Sequence, residues 1–290
     1  MASEKLDPVT GRMTTGHEWN GIEELDTPVP RVVLYFLAAG MLFAGIYWIL
    51  MPAWPLGWTY TKGLLGADQR EVVARQVDSA TAARAQWTDK IMTASFSEIE
   101  ADDALMAKVR ETGQALFRDN CAACHGINAT GGPGFPDLTA KAWLWGGNPE
   151  TIAETVRVGI NSTNEDTRVS QMLAFGRDEI LDREKINEVV SYVESLSAPE
   201  RGDAETIRAG REVFAANCVA CHGEDGKGKA DVGAPDLTDS HWIYGRDRQS
   251  IYTTIYAGRQ GHMPFWGGRL SPLDIKVLTA YVHTLGGEAP

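Results

Sequence analysis

Two segments of the chain carry the pattern C-x-x-C-H, in which two thiols can form thioethers with the vinyl groups of a haem while the adjacent imidazole binds the iron. A structural zinc site would need further ligands near each cysteine pair, and a thioredoxin-type redox pair would need a βαβ context that the sequence lacks. The sequence therefore predicts two covalently attached haem c groups. The reactive residues, which include all 4 cysteines of the chain, are Cys121, Cys124, His125, Cys218, Cys221 and His222.

The surroundings of the two C-x-x-C-H segments are also repeated. Each repeat is expected to contain a leading helix, the attachment segment, a middle stretch and a closing helix. We expect the closing helices to pack on the leading helices, with Gly113 and Gly210 allowing a close approach of the backbones. The matched positions are Gly113 and Gly210, Phe117 and Phe214, Asn120 and Asn217, Pro136 and Pro235, Trp143 and Trp242, Ile152 and Ile251, Gly159 and Gly258, Tyr192 and Tyr281, and Leu196 and Leu285.

The second axial ligand decides what such a haem can do. An iron with one imidazole keeps an open position for oxygen or peroxide, whereas a second strong ligand closes it and leaves electron transfer. Of the 8 methionines, Met172 and Met263 lie between a haem motif and its closing helix, in matching glycine-containing loops. Core packing is the ordinary role of methionine, but the matched loops favour ligation. We expect His125 with Met172 at the first iron and His222 with Met263 at the second.

Three features leave alternatives open. His262 is a rival distal ligand because it adjoins Met263. Trp143 and Trp242 can either donate an indole N–H to a haem propionate or serve in packing. The first methionine loop also differs from the second, since Met172 is not followed by proline and its middle stretch is 8 residues longer.

An uncharged apolar segment precedes the repeats. Residues 32–51 include 20 residues without a charge, and a helix of that length at ~1.5 Å per residue crosses a hydrocarbon core of roughly 30 Å. About thirty mostly polar residues come before it and no small-residue cleavage pattern follows, so we expect a retained anchor rather than a cleaved signal peptide. A further helix is expected from Gln69 to Gln86.

Composition excludes several classes of function. The chain has 290 residues, of which 43% are hydrophobic and 23% are charged, as is typical of a folded protein of two or three domains. Its net charge of −12 argues against nucleic-acid binding, which needs clustered Lys and Arg. Residues 223–230 nearly match a phosphate-binding loop, but Ala230 stands where Ser or Thr would hold magnesium.

The two repeats resemble class I cytochrome c domains over residues 105–287. Residues 15–31 carry T-G-H-x-W-x-G-I-x-E-L-x-x-P-x-P-R, which closely resembles the N-terminus of the diheme subunit III of cbb3-type cytochrome c oxidases. The resemblance implies an all-α fold with one N-terminal transmembrane helix followed by two tandem class I cytochrome c domains. The implied bounds are a cytoplasmic docking segment at 1–31, the transmembrane helix at 32–51, a periplasmic linker and helix at 52–101, and cytochrome c domains at 102–197 and 204–288.

The same resemblance implies an electron-transfer subunit that is not an enzyme on its own. Such a subunit takes electrons from a donor cytochrome c or bc1 complex. It passes them to the monohaem cytochrome c subunit of a proton-pumping oxidase, in which a haem–copper catalytic subunit reduces oxygen. The implied location is the bacterial inner membrane, with the N-terminus cytoplasmic and both haem domains periplasmic. Three alternatives remain at this point: a diheme membrane cytochrome serving a dehydrogenase, a diheme peroxidase, and a gas sensor.

Overall fold

The computed structural model describes residues 4–140, 142–197 and 202–285. Residues 198–201 of the predicted inter-repeat linker, and residues 286–288 of the predicted second domain, lie outside the described residues. The chain divides into two compact units, residues 1–82 and residues 83–290. The haem motifs both lie in the second of these units.

The first unit begins with a β-hairpin that the sequence analysis did not predict. Strands β1 (Thr14–Trp19) and β2 (Ile22–Leu25) are antiparallel, with Trp19 opposite Ile22. The turn residues Asn20 and Gly21 have φ angles of 53° and 87°. Asn-Gly is the dipeptide that favours positive φ at both positions of a two-residue hairpin turn. This dipeptide is thus the sequence signal for the hairpin, and the strands are a small addition to a mostly helical fold.

Helix α1 (Arg31–Leu50) coincides with the predicted transmembrane segment to within one residue. Its mean hydropathy is 2.1, and in the described part of the chain it is the one helix long and apolar enough to cross a membrane. None of its residues is buried against protein. A helix that is apolar on every side and has no buried residue suits a lipid environment rather than a soluble core.

Two helices lead from the anchor to the first repeat. Helix α2 (Gln69–Thr93) begins where the sequence predicts and continues beyond the predicted end, and it is followed by α3 (Phe96–Ala101). Ile91 of α2 and Ile99 of α3 are fully buried in a cluster that also contains Val109 and Val277. The linker predicted at 52–101 therefore ends in helices that pack on the repeats.

In the described residues, each repeat contains four helices in the same order. The middle helix of each repeat was not assigned by the sequence analysis, and its start is capped by an Asn or Asp side chain that accepts a backbone N–H bond. The first repeat comprises α4 (Asp103–Asn120), α5 (Ala122–His125), α6 (Pro149–Val158) and α7 (Arg183–Ser197). The second comprises α8 (Ala204–Asn217), α9 (Val219–His222), α10 (Arg248–Ala257) and α11 (Pro272–Leu285).

The closing helices pack on the leading helices, as expected, but the partners are exchanged between the repeats. Helix α4 packs on α11, and α8 packs on α7. A Cβ atom added to Gly113 would lie 2.5 Å from Cβ of Tyr281, and one added to Gly210 would lie 2.9 Å from Cβ of Tyr192. Both glycines therefore allow the predicted close approach, each toward the tyrosine of the other repeat.

The exchange defines two modules in space. The first module consists of α4, α5, α6 and α11, and the second consists of α8, α9, α10 and α7. Phe117, Ile152 and Leu278 are buried together in the first module, and Phe214 and Ile251 are buried with α7 in the second. Each module thus contains the attachment turn of one repeat and the closing helix of the other.

Candidate haem sites

The attachment segments are short helical turns that begin where the leading helices end. In the first module, the N–H of His125 donates to the carbonyl of Cys121 at 3.0 Å, and the second module repeats this bond between His222 and Cys218 at 2.9 Å. The first cysteine of each pair is half-buried and the second is exposed. Burial, together with the neighbouring cysteine, raises the pKa of the Cys121 and Cys218 thiols to about 11. The first cysteine of each pair therefore packs against an apolar cluster, whereas the second is exposed.

The two histidines are oriented by backbone carbonyls. Nδ1 of His125 lies 3.2 Å from the carbonyl oxygen of Pro136, and Nδ1 of His222 lies 3.1 Å from that of Pro235. Because a carbonyl can only accept, Nδ1 carries the proton in each ring and Nε2 keeps its lone pair for a metal. Burial lowers the pKa of both imidazoles, which favours the neutral form that binds iron.

Met172 lies in the second module rather than the first. Its N–H donates to the carbonyl of Arg259 at 2.8 Å, and the N–H of Arg259 donates back at 3.2 Å. Its side chain packs against the apolar cluster of Phe214 and Ile251, which Cys218 also contacts. The structure therefore brings Met172 together with the attachment turn of His222.

Met263 makes the reciprocal crossing. Its N–H and carbonyl exchange two 2.9 Å bonds with Ile160, at the end of α6. Three residues on, Trp266 donates to the carbonyl of Val156 at 3.0 Å, and Val156 packs in the cluster that contains Cys121. The sequence pairs Met172 with His125 and Met263 with His222, whereas the packing groups each methionine loop with the attachment turn of the other repeat, because the chain crosses between the modules just before each methionine.

The 8 additional residues of the first methionine loop form an insertion whose two ends are hydrogen-bonded to each other. The N–H of Arg168 donates to the carbonyl of Gly159 at 3.1 Å, and the N–H of Asn161 donates to the carbonyl of Arg168 at 2.8 Å. The chain therefore returns at Arg168 to the point that it left at Gly159. As a result Arg168 stands four residues before Met172, just as Arg259 stands four residues before Met263, and the extra length does not displace Met172.

Two arginines that the sequence analysis did not single out hold aromatic rings between the modules. The guanidinium of Arg168 lies 5.0 Å from the centroid of the Trp145 ring, and that of Arg259 lies 4.2 Å from the centroid of the Tyr244 ring. The Trp145 ring in turn packs on the backbone of Gly233, in the attachment loop of the other repeat. The available sequence signal was an arginine at the same distance before each methionine.

The remaining candidates are the three residues for which the sequence left alternatives open, Trp143, Trp242 and His262. Trp143 and Trp242 pack against the first and second clusters, respectively. The indole N–H of Trp242 donates to the carbonyl of Asp239 at 3.2 Å. His262 is exposed, and its Nδ1 lies 2.9 Å from the carbonyl oxygen of Asn161.

Each module thus assembles two thiols, an imidazole with a free Nε2 and a methionine loop. This donor set fits a covalently bound haem c with both axial positions filled. The fold and the donor sets define a c-type cytochrome with two cytochrome c repeats, preceded by a helix that is long and apolar enough to cross a membrane.

Comparison with known proteins identifies the family. Residues 110–197 match the cytochrome c family, residues 205–282 match the family described as cytochrome c oxidase, cbb3-type, subunit III, and residues 11–58 match the N-terminal domain of cytochrome oxidase-cbb3, FixP. The chain is 45% identical over 282 residues to the cbb3-type cytochrome c oxidase subunit FixP of Azorhizobium caulinodans, covering 97% of this chain and 96% of that protein. It is 44% identical over 275 residues to the CcoP subunit of Cereibacter sphaeroides, covering 94% of each chain.

The chain therefore belongs to the FixP/CcoP family of cbb3-type cytochrome c oxidase subunits. This confirms the resemblance found in the sequence and the expected fold class. The protein is an electron-transfer subunit of an oxidoreductase complex and partners other subunits of that oxidase. Its cytochrome c domains imply haem c, and the α1 helix is consistent with anchoring in a membrane.

Proposed function

We propose that the chain relays electrons through two haem c groups, from a donor cytochrome c or bc1 complex to the monohaem cytochrome c subunit of its oxidase. The haem–copper subunit then reduces oxygen. Haem c, when bound, supplies reversible one-electron chemistry. The observation that carries the proposal is the presence of two complete donor sets in one compact unit, each with a methionine loop beside a thiol–imidazole turn.

The proposed ligand sets follow the packing rather than the chain order. Neutral His125 and His222, held by backbone carbonyls, present Nε2 to the irons. A methionine thioether would serve as the second iron ligand, which would exclude oxygen and peroxide and raise the reduction potential relative to more basic ligand pairs. The first haem is held by Cys121, Cys124, His125 and Met263, and the second by Cys218, Cys221, His222 and Met172.

The test is purification of the oxidase through a tag on this chain, followed by two spectroscopic measurements. Rapid mixing with a reduced donor cytochrome c should reduce both haems of this subunit before the haem–copper centre. The isolated full-length chain, reduced in detergent, should show no carbon monoxide difference spectrum. Carbon monoxide binding to the wild-type chain, or turnover of peroxide, would instead support a sensor or a peroxidase. Co-purification with a dehydrogenase would support the remaining alternative.

We further propose that α1 anchors the chain in the bacterial inner membrane with the N-terminus in the cytoplasm. Both modules then lie in the periplasm, where haem c is attached. Protease added to spheroplasts should release haem-containing fragments while an N-terminal tag stays intact until lysis. Digestion of the tag in intact spheroplasts would overturn this orientation.

The hairpin supports the proposal that residues 1–31 dock on another oxidase subunit. Trp19 and Ile22 face each other at the hairpin tip and are 74% and 73% exposed. Glu18, Glu23 and Glu24 lie on the same strands, and cytoplasmic loops of membrane proteins are enriched in Lys and Arg. Trp19→Ala should reduce recovery of the other subunits without loss of haem. Val9→Ser, at an exposed site outside the strands, is the matched control, and equal recovery in both variants would refute the docking role.

A further inference from the structure

The two chain segments that cross between the modules meet at one side chain. The first crossing runs through Ser170 toward Met172, and the second runs through Gly261 toward Met263. Nδ2 of Asn161 donates to the carbonyl of Ser170 at 2.8 Å and to the carbonyl of Gly261 at 2.7 Å. Each bonded residue stands two positions before a methionine, so one amide group bonds both crossings at equivalent points.

Two further contacts complete this junction. Oδ1 of Asn161 accepts the N–H of Ser170 at 3.1 Å, and the backbone carbonyl of Asn161 accepts a bond from Nδ1 of His262 at 2.9 Å. An asparagine amide has two N–H donors, and here they serve two segments that are about 90 residues apart in sequence. The side chain is thereby committed to both crossings.

Asparagine suits this position in backbone conformation as well. Asn161 has a φ of 48°, in the left-handed region that asparagine and glycine tolerate better than other residues. Aspartate has nearly the same shape but provides no N–H donor, so it would place a carboxylate against the carbonyls of Ser170 and Gly261. The backbone conformation and the donor capacity can therefore be separated by substitution.

We propose that Asn161 is a positioning residue that fixes both methionine loops at once. This proposal rests on the proposed function, since it takes Met172 and Met263 as the distal ligands. Asn161 acts through the crossing segments, since its side chain bonds the backbone of Ser170 and Gly261. Its loss lets both loops leave the iron more readily, and the two distal sites therefore loosen together although they belong to different modules.

The test uses the full-length haem-loaded chain in detergent, with imidazole as a competitor for the distal position of the ferric irons. Asn161→Gly keeps the positive φ and removes the amide, and Asn161→Asp keeps the shape and removes the donors. In both variants we expect imidazole to bind both haems roughly tenfold more tightly than in the wild type, which corresponds to about 1.4 kcal/mol. The weak long-wavelength absorption of the ferric iron–thioether bond should fall correspondingly, while the covalent haem content stays at two per chain.

The matched control is Asn164→Ala in the same loop. Oδ1 of Asn164 accepts the N–H of Asp166 at 2.9 Å, so the control removes a local asparagine bond and leaves both crossings intact. Imidazole affinities in the Asn161 variants that match those of Asn164→Ala, or that change at a single haem, would overturn the proposal. Met172→Ala and Met263→Ala serve as references. If neither opens an iron, the ligand assignment has failed; if both do and the Asn161 variants do not, the positioning role alone has failed.

Discussion

The exchange of closing helices predicts a specific energetic coupling between residues of different repeats. In Gly113→Ala the new Cβ would lie 2.5 Å from Cβ and 2.8 Å from Cγ of Tyr281, a separation that packed atoms do not tolerate. Overpacking of this kind costs about 1–3 kcal/mol. For a unit of about 200 residues, each kcal/mol lowers Tm by about 2–4 °C. We therefore expect a fall in Tm of about 2–12 °C.

A second substitution identifies the partner helix. In the Tyr281→Gly background the obstructing atoms are absent, and alanine at 113 then gains about 0.8–1.0 kcal/mol of helix propensity over glycine. Gly113→Ala should therefore stabilise that background. In the Tyr192→Gly background the contact with Tyr281 persists, so Gly113→Ala should destabilise as it does in the wild type. The coupling energy between residues 113 and 281 is then about 2–4 kcal/mol, the sum of a clash relieved and a propensity gained.

Thermal unfolding of the haem-loaded full-length chain, followed by circular dichroism, measures this cycle. Each double variant is compared with the tyrosine variant that forms its background. Tyr281→Gly and Tyr192→Gly are matched because they remove equivalent side chains from the two closing helices. The reasoning would be refuted if Tyr192→Gly, and not Tyr281→Gly, relieved the cost of Gly113→Ala. That outcome would mean that each repeat folds on its own closing helix.

Three further predictions test the remaining contacts. Cys121→Ala and Cys124→Ala together remove the first haem. In that background, Met172→Ala should open the remaining iron to carbon monoxide and lower its reduction potential, whereas Met263→Ala should leave that iron closed. The reverse result would restore the pairing expected from chain order. Lys276→Met removes the ammonium that donates to the carbonyls of Met92 and Ala94 at 3.0 and 2.5 Å. Calorimetry should show a lower Tm, which corresponds to a loss of about 1–3 kcal/mol in the free energy of unfolding. Lys185→Met is the control, and its Tm should be unchanged. The side-chain hydrogen bonds of Arg157 lower the pKa of Glu154, so this pair stabilises the fold above the ordinary carboxyl pKa of about 4.3, and its contribution disappears as the pH falls through the lower folded pKa. Glu154→Gln should therefore lower the free energy of unfolding by about 1 kcal/mol or less at pH 7. An equal loss at pH 3 would contradict the assignment.

The features that the sequence could predict are local ones. The C-x-x-C-H segments, the apolar α1 and the closing helices each depend on residues within a few turns of one another, and the structure contains them in the predicted order along the chain. The hairpin at Asn20 and Gly21 was equally local, but its strands are too short for alternation to stand out. The capped middle helices α6 and α10 were likewise visible in Asn148 and Asp247, whose side chains accept the first backbone N–H bonds.

The exchange was beyond prediction because the repeats resemble each other. Gly113 needs a closing helix with an aromatic residue at the crossing, and Tyr192 and Tyr281 satisfy that need equally in sequence. The choice between them is made by long-range packing, including the α2 and α3 residues that bury Val277 of α11 beside Val109 of α4. The proposed pairing of methionines with histidines depends on the same choice, and so it could not follow from the order of the motifs.

The exchange also changes what a domain is in this chain. The family matches at 110–197 and 205–282 mark units of sequence, whereas each module takes its attachment turn from one of them and its closing helix from the other. A module therefore cannot lose its partner repeat without losing the helix that covers its own core. The two C-x-x-C-H turns are held in one compact unit by α7, α11 and the crossings at Asn161, which suits the proposed relay, in which the separation of two carriers must stay constant while electrons pass.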